Sequence, residues 1–338
     1  MAPLVIPIFI AHQGCPHRCI FCDQYTIAGG ADSDDKPVSG ATVKTVIEKW
    51  LKRSGKTHKD SVQVAFYGGS FTGIPRKRQE ELLRAVKPYI DAGRVDAVRI
   101  STRPDYVDDT VLDVLQEHSV SIVEIGLQSL DQEVLDFSAR GHTPLQSENA
   151  IRLLKKRGFI VGAQLMCGLP GDSTGKLMAT ARKVAALGPD FVRIYPALVI
   201  KGSGLEKLYR ESVYRPLSLS KAIILAGRVK RIFAQHDIKV VRMGLQPSQE
   251  LENKVLAGPY HPAFGELVIS RDLFMQARQL LRTAEKSRIK HLSVAAADES
   301  AFRGPDNVNI RRLTVLGLFA GVELVFDKKQ PRSTVLVY

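Results

Sequence analysis

Short apolar runs rich in β-branched residues alternate along the chain with stretches whose apolar positions recur at helical spacing. The strand-like runs are "LVIPIFIAH" (4–12), "SVQVAFYGG" (61–69), "AVRISTRP" (97–104), "SIVEIGLQS" (121–129), "FIVGAQLMCGLP" (159–170) and "DFVRIYPALVI" (190–200). Helical patterning falls between them at 41–53, 75–90, 108–118, 144–157 and 173–187. In one of these, Ile151, Leu154 and Lys155 keep the spacing until Gly158 ends the segment. Six such alternations predict parallel strands joined by right-handed crossovers. The expected fold is therefore α/β, a partial (β/α)6 barrel of the TIM-like kind, with a flat doubly wound sheet as the alternative.

A further helix is predicted over 218–236 and a further strand over 239–246. The segment "AGPYHPAFGE" (257–266) then brings two prolines and two glycines into ten residues, which predicts a boundary. The division expected is residues 1–256 as the partial barrel and 257–338 as a small α+β domain. In the latter we read a helix (270–286), a strand (290–295), a loop (298–307), a short helix (308–317) and strands at 321–326 and 333–338. No internal repeat or low-complexity segment is visible.

The chain has 338 residues, of which 44% are apolar, enough for a full core. Its start lacks a basic region before the apolar run and a cleavage-like site after it, so no export signal and no membrane span are predicted. The expected location is cytoplasmic. The formal charge of +13 fits either polyanionic partners such as nucleic acid or a well-solvated basic surface. The densest basic cluster is Lys49, Lys52, Arg53, Lys56 and Lys59.

Three of the four cysteines, Cys15, Cys19 and Cys22, stand in "GCPHRCIFCDQ" just after the first strand. The set argues against a disulfide framework and for a soft metal or an iron–sulfur cluster. His12 or His17 would complete a zinc tetrahedron, leaving a zinc-stabilised RNA-binding module as an alternative. On a four-iron cluster, three thiolates leave one iron open to a ligand. Active sites of parallel β/α folds form at the carboxyl ends of strands, where this loop lies. Phe21 beside Cys22 would shield the site from water.

The arrangement Cys15–Cys19–Phe21–Cys22 after a first strand resembles the radical S-adenosylmethionine superfamily. That resemblance implies a 4Fe-4S cluster whose open iron chelates S-adenosyl-L-methionine. It also implies a 5′-deoxyadenosyl radical that abstracts hydrogen from substrate, and an electron donor such as flavodoxin or ferredoxin. "FYGGSFTG" (66–73) puts Gly68, Gly69 and Ser70 where the superfamily holds the amino group of S-adenosylmethionine, with Ser70 replacing an acidic residue. Ser101 and Arg103 in "ISTRPDY" are expected to take the carboxylate.

Gln128 and Arg140 resemble cofactor contacts of the branch that holds oxygen-independent coproporphyrinogen oxidase and the radical portion of the Elongator catalytic subunit. The "GLPG" turn (168–171) matches that branch too. Gln164 stands where the porphyrinogen enzymes carry an aspartate that contacts the nucleoside. Met166 is a candidate for packing on adenine, and Cys167 reads as a buried thiol outside the cluster. "RIYPALVIKGSGLEKLY" (193–209) resembles the Elongator type more specifically. There Arg193 and Tyr195 share one strand face, and Lys201 is a candidate substrate contact. The Elongator family continues into an acetyltransferase domain, for which the residues after 257 are too few. The substrate expected is a tRNA base or another anionic molecule, with a porphyrin-related substrate as the alternative. Weaker candidates are Tyr260, His261 and Glu266 at the barrel mouth and Arg303, Arg311 and Arg312 on RNA phosphates. No catalytic residue beyond the cofactor ligands is assigned.

Overall fold

The computed structural model describes residues 3–16, 18–27, 37–54, 61–283 and 291–338. Seven strands run parallel in one curled sheet, side by side in chain order. They are β1 (Leu4–Phe9), β2 (Val62–Tyr67), β3 (Ala97–Thr102), β4 (Val120–Gln128), β5 (Ile160–Cys167) and β6 (Phe191–Pro196) and, after a short β7 (Val199–Ile200) that leaves the sheet, β8 (Lys239–Met243). This is the expected partial barrel, extended by one strand, because the segment read as a strand over 239–246 pairs with β6.

Helices follow the strands, several of them covering the outer face. In chain order up to β8 they are α1 (Gln24–Ile27), α2 (Gly40–Ser54), α3 (Arg76–Asp91), α4 (Asp109–Glu117), α5 (Gln132–Phe137), α6 (Pro144–Lys156), α7 (Thr174–Leu187), α8 (Gly204–Arg210) and α9 (Leu219–Ala234); α1 and α8 lie beside the cysteine loop. Their starts follow local chemistry. At α6, the Thr143 hydroxyl accepts from the Gln146 amide while the Gln146 side chain accepts from the Thr143 amide, with Pro144 in the first turn. Asp108, Asp131, Ser173 and Ser218 cap α4, α5, α7 and α9 in the same sense, each accepting a bond from a backbone N–H three residues on. Ala150, Ile151 and Leu154 of α6 are buried against the sheet. The strands contribute Ile6, Val64, Ile100, Ile125, Leu165 and Ile194 to one core. A parallel sheet covered on its outer face in this way reads as near-continuous apolar runs, which is why the strands are visible in the sequence.

Beyond β8 come α10 (Gln249–Lys254), β9 (Val255–Ala257), which pairs antiparallel with β7, and α11 (Phe264–Thr283). Helix α11 packs on α9. Its Phe264 and Val268 join the barrel core, while Leu273, Phe274, Ala277 and Leu281 join a second core. That second core lies under a three-stranded sheet: β10 (His291–Ala295), parallel to β11 (Glu323–Asp327) and antiparallel to β12 (Val335–Val337). Two helices, α12 (Glu299–Arg303) and α13 (Val308–Val315), connect β10 to β11. The expected loop at 298–307 thus contains α12, and the expected helix at 270–286 starts six residues earlier. Lys56 and Lys59 of the basic cluster, and the positions expected to end that helix, lie outside the described residues. No helix among the described residues is long and apolar enough to cross a membrane.

Candidate functional site

The loop after β1 is fastened to the loop after β2. Ser70 N donates to Gln13 O at 2.9 Å, and His12 N to Gly68 O at 2.9 Å. The contact is close enough to demand glycine. A Cβ on Gly14, already at φ +72°, would lie 2.1 Å from Ser70 O, and one on Gly69 would lie 2.4 Å from Gln13 O. The following turn is held from two other sides. Ile20 N donates to Ser138 O at 3.2 Å after α5, and Leu205 N donates to Ile20 O at 2.7 Å at the start of α8. Three separate parts of the chain therefore hold the cysteine loop over the carboxyl ends of the strands.

Cys15, Cys19 and Cys22 all line one cavity of about 640 Å³ inside the curl of the sheet. Arg140 Nη1 donates to Cys19 Sγ at 3.0 Å, and Gln24 Nε2 to Cys22 Sγ at 3.3 Å. Burial pushes the Cys22 thiol up to about 12, with the neighbouring Cys19 and Cys15 adding to the effect. Cys15 is also raised, chiefly by burial and then by Cys19, while Arg103 and Arg140 pull it back. Thiols so crowded favour a cation that would take the proton's place. Among the described residues no three His, Cys, Asp or Glu side chains converge to hold one metal ion. In a cubane each thiolate binds its own iron, so convergence on one point is not required. Donor type, hydrogen bonds to sulfur and the guanidinium beside Cys19 all suit an iron–sulfur cluster held by three cysteines. His12 Nε2 accepts from Gln24 N at 3.1 Å. His17, the other histidine considered as a zinc ligand, lies outside the described residues.

The residues singled out from sequence largely meet here. Phe21, Gly68, Gly69, Ser101, Arg103, Gln128, Arg140 and Gln164 line the same cavity as the thiols, as do Met166, Arg193 and Tyr195. Gln128 ends β4 in the left-handed region, at φ +63°, where the pairing with β5 shifts register. A glutamine held there is strained by about 1–2 kcal/mol, and such strain concentrates at ligand sites. Gln164 Nε2 donates to Gln128 Oε1 at 3.3 Å. Arg140 also bonds Gly126 O. The Arg103 fork is clamped on Asp105, at 2.9 and 2.8 Å. His142, buried near Arg140 and Arg103, is pushed down to about 3 by burial and then by those two cations, so it is neutral.

Ser70 is not part of the lining. It is fully buried behind the wall, its hydroxyl 3.0 Å from Thr102 Oγ1 and accepting from Arg103 N at 3.3 Å. Cys167 is fully buried in the core and outside the cavity, as read. Lys201 is exposed and does not line the cavity. Tyr260 bonds Glu252 at 2.9 Å, and His261 Nδ1 accepts from Ala263 N at 3.0 Å. Both belong to the local turn, and neither they nor Glu266 reaches the cavity.

Deeper in the cavity lies a network the sequence reading missed. Glu124, 4% exposed, takes Arg99 Nη1 at 3.1 Å and Arg193 Nη2 at 3.1 Å, and Tyr67 O–H donates to it at 2.9 Å. Arg193 Nε stands 2.7 Å from the second Glu124 oxygen. Arg193 Nη2 also donates to Tyr67 Oη at 3.0 Å, and Nη1 to Tyr195 Oη at 3.3 Å. Burial opposes the charge of Arg193, but Glu124 beside it, with Tyr195 and Tyr67, raises its pKa overall. The signal was present: Arg99, Glu124 and Arg193 are charges in the middle of strands that should be apolar on both faces.

A curled parallel sheet thus carries three thiols, with arginines and glutamines, on one cavity. The chain belongs to the radical S-adenosylmethionine superfamily, whose model matches residues 9–184, more than half of its length. The Radical_SAM C-terminal domain model matches residues 189–273. The protein is accordingly a radical S-adenosylmethionine enzyme.

Within that class its relatives are of the Elongator type. It is 28% identical over 269 residues to the tRNA uridine(34) acetyltransferase of Methanocaldococcus jannaschii, a match covering 68% of this chain and 48% of that protein. It is 32% identical over 228 residues to an uncharacterized protein of the same organism, covering 65% of this chain and 69% of that one. The archaeal Elp3 of Methanocaldococcus infernus, lacking its N-terminus, shares the fold. The TM-score is 0.62 at 20% identity, over 85% of this chain and 70% of that one. The chain spans about half the length of the acetyltransferases it matches.

Proposed function

We propose that Cys15, Cys19 and Cys22 ligate three irons of a 4Fe-4S cluster, that the fourth iron takes S-adenosyl-L-methionine, and that the substrate is a tRNA base. The observation that supports this best is that the three thiols share one cavity with Gly68, Ser101, Arg103, Gln128, Arg140 and Gln164. When bound, the cluster supplies the electron that breaks a sulfonium–carbon bond, and the resulting carbon radical abstracts hydrogen. The protein's own part is to bind, orient and exclude water. Arg140 stabilises the ligating sulfur of Cys19. Ser101 and Arg103 face the carboxylate of S-adenosylmethionine, and the backbone at Gly68 and Gly69 faces its amino group. Gln128 and Gln164, already bonded to one another, face the nucleoside, with Met166 packing on its base. Phe21, 9% exposed, keeps water from the thiols.

The tRNA part of the proposal is supported by the tRNA uridine(34) acetyltransferases among the relatives and by the charge of +13. A cytosolic setting, where thiols stay reduced and a flavodoxin or ferredoxin donates the electron, suits the same chemistry. A zinc-stabilised RNA-binding module would leave the strand-end residues from Gly68 to Gln164 without a role.

The test is purification without oxygen, reconstitution with iron and sulfide, and measurement of S-adenosylmethionine cleavage. About four irons per chain and cleavage that disappears in Cys19→Ala are expected. Bound zinc without iron uptake, or cleavage retained in Cys19→Ala, would reject the proposal. Binding of tRNA above that of a non-nucleic polyanion is the expectation for the substrate, and equal binding of both would reject that part.

A further inference from the structure

We infer that the side of the cavity where Arg193 and Arg242 stand in register holds an anionic group of the substrate, a phosphate or a carboxylate. This deepens the proposed function, since it assigns the substrate's end of the same cavity. The two arginines are register partners on β6 and β8. Partners on adjacent strands project to the same face, about 4.8 Å apart. Both line the cavity. Gln164 is the register partner of Arg193 on the other side. One row of side chains therefore crosses β5, β6 and β8, from the residue assigned to the nucleoside to the two guanidiniums. A substrate lying along that row would present its reactive carbon beside the cofactor and its anion to the arginines.

Charge counting points the same way. Among the described lining residues there are five arginines, Arg18, Arg103, Arg140, Arg193 and Arg242, and one carboxylate, Glu124. Arg103 is neutralised by Asp105, and Arg140 faces the thiols. Glu124 is shared between Arg193 and Arg99, which is 9% exposed and also bonds the neutral Gln63. Arg242 bonds Gly244 O at 3.1 Å and Gln246 Oε1 at 2.6 Å, both neutral oxygens. The Arg193 side chain is 16% exposed, stacked over the Tyr67 ring with its carbon 5.4 Å from the ring centre. Guanidinium keeps its charge at any ordinary pH, so the surplus of positive charge lining the cavity attracts an anion from outside. Two planar forks in one row suit the paired oxygens of a phosphate or carboxylate.

The test is calorimetric titration of the full chain with inorganic phosphate and, separately, with malonate. No turnover is involved, so failure here is distinct from failure of cofactor cleavage. Binding of phosphate, malonate or both to the wild-type chain is expected, and the preferred probe identifies the group. Arg242→Gln should weaken that binding by about tenfold, the loss of one charge-assisted pair. Arg242→Lys, which keeps the charge but loses the planar fork, should weaken it less than Arg242→Gln does. Arg182→Gln, on the exposed surface of α7, should leave it unchanged. Absence of binding to the wild-type chain would overturn the inference, as would equal affinities in wild type and Arg242→Gln or equal weakening in Arg242→Gln and Arg182→Gln.

Discussion

Replacing Glu124 by glutamine keeps the size of the side chain and removes the charge that two guanidiniums share. The carboxylate is 4% exposed, and the Arg99 and Arg193 side chains are 9% and 16% exposed. Removing one partner of a buried pair costs about 3–5 kcal/mol, because the remaining charge stays out of water without compensation. Here two cations lose their counter-ion, which argues for the upper part of that range. The amide oxygen keeps some of the hydrogen bonds, which lowers it again. A loss of about 3 kcal/mol in unfolding free energy follows. Tyr67→Phe removes a hydroxyl bonded to that carboxylate and to both guanidiniums and should cost about 1.5–3 kcal/mol. In the Glu124→Gln background Tyr67→Phe should cost less, because the two residues act through one network. Urea unfolding followed by far-UV circular dichroism measures all three variants. Glu48→Gln, which breaks an exposed pair with Arg94, is the control and should fall far short of Glu124→Gln. Equal losses at positions 124 and 48 would refute the claim that the inner network is a desolvated, charge-balanced device.

Three further outcomes follow from the same geometry. Gly69→Ala forces a Cβ to within 2.4 Å of Gln13 O, so the cysteine loop must move, costing about 1–3 kcal/mol and most of the bound iron after reconstitution; unchanged iron content would count against the fastened-loop account. Arg140→Gln removes the donor to Cys19 Sγ at 3.0 Å and should make the cluster easier to lose to a chelator by about tenfold or more, which the rate of iron release measures. His142 has a folded pKa lowered to about 3 from 6.5, so the unfolded chain binds the proton first as pH falls. Stability is full above about 6.5 and declines by up to about 1.4 kcal/mol per unit below it. His142→Gln should flatten the melting temperature between pH 6.5 and pH 5, and an unchanged slope would show that other groups carry it.

Most of the barrel was legible because its strands are buried on both sides and broken by helices with clear caps. The endings were less so. Apolar character continues past Phe9 into Ile10 and Ala11, although the ladder with β2 stops, and a hydrophobic run does not say where pairing ends. Helices α1, α5, α8 and α10 span seven residues or fewer, too short for a 3.6-residue period to register. Strands β7 and β9 are two and three residues long and pair across more than fifty positions, a contact that only the folded chain makes.

At the site, the cysteines and the strand-end polar residues were visible as local patterns. Ser70 was visible with them, but that its hydroxyl faces Thr102 was not, because which way a turn side chain points depends on the neighbouring strand. The inner network joins Tyr67, Arg99, Glu124 and Arg193 from four strands, so no spacing within one segment announces it. Its trace in the sequence is a charge inside an apolar run, as in "SIVEIGLQ", which a helix-or-strand reading passes over.

The most direct trial of the account is the electron paramagnetic resonance spectrum of the reduced, reconstituted protein before and after adding S-adenosylmethionine. A cluster held by Cys15, Cys19 and Cys22 has one iron free to change its ligand, so the spectrum should shift on addition. A signal that stays the same, or a preparation that binds zinc and no iron, would contradict it.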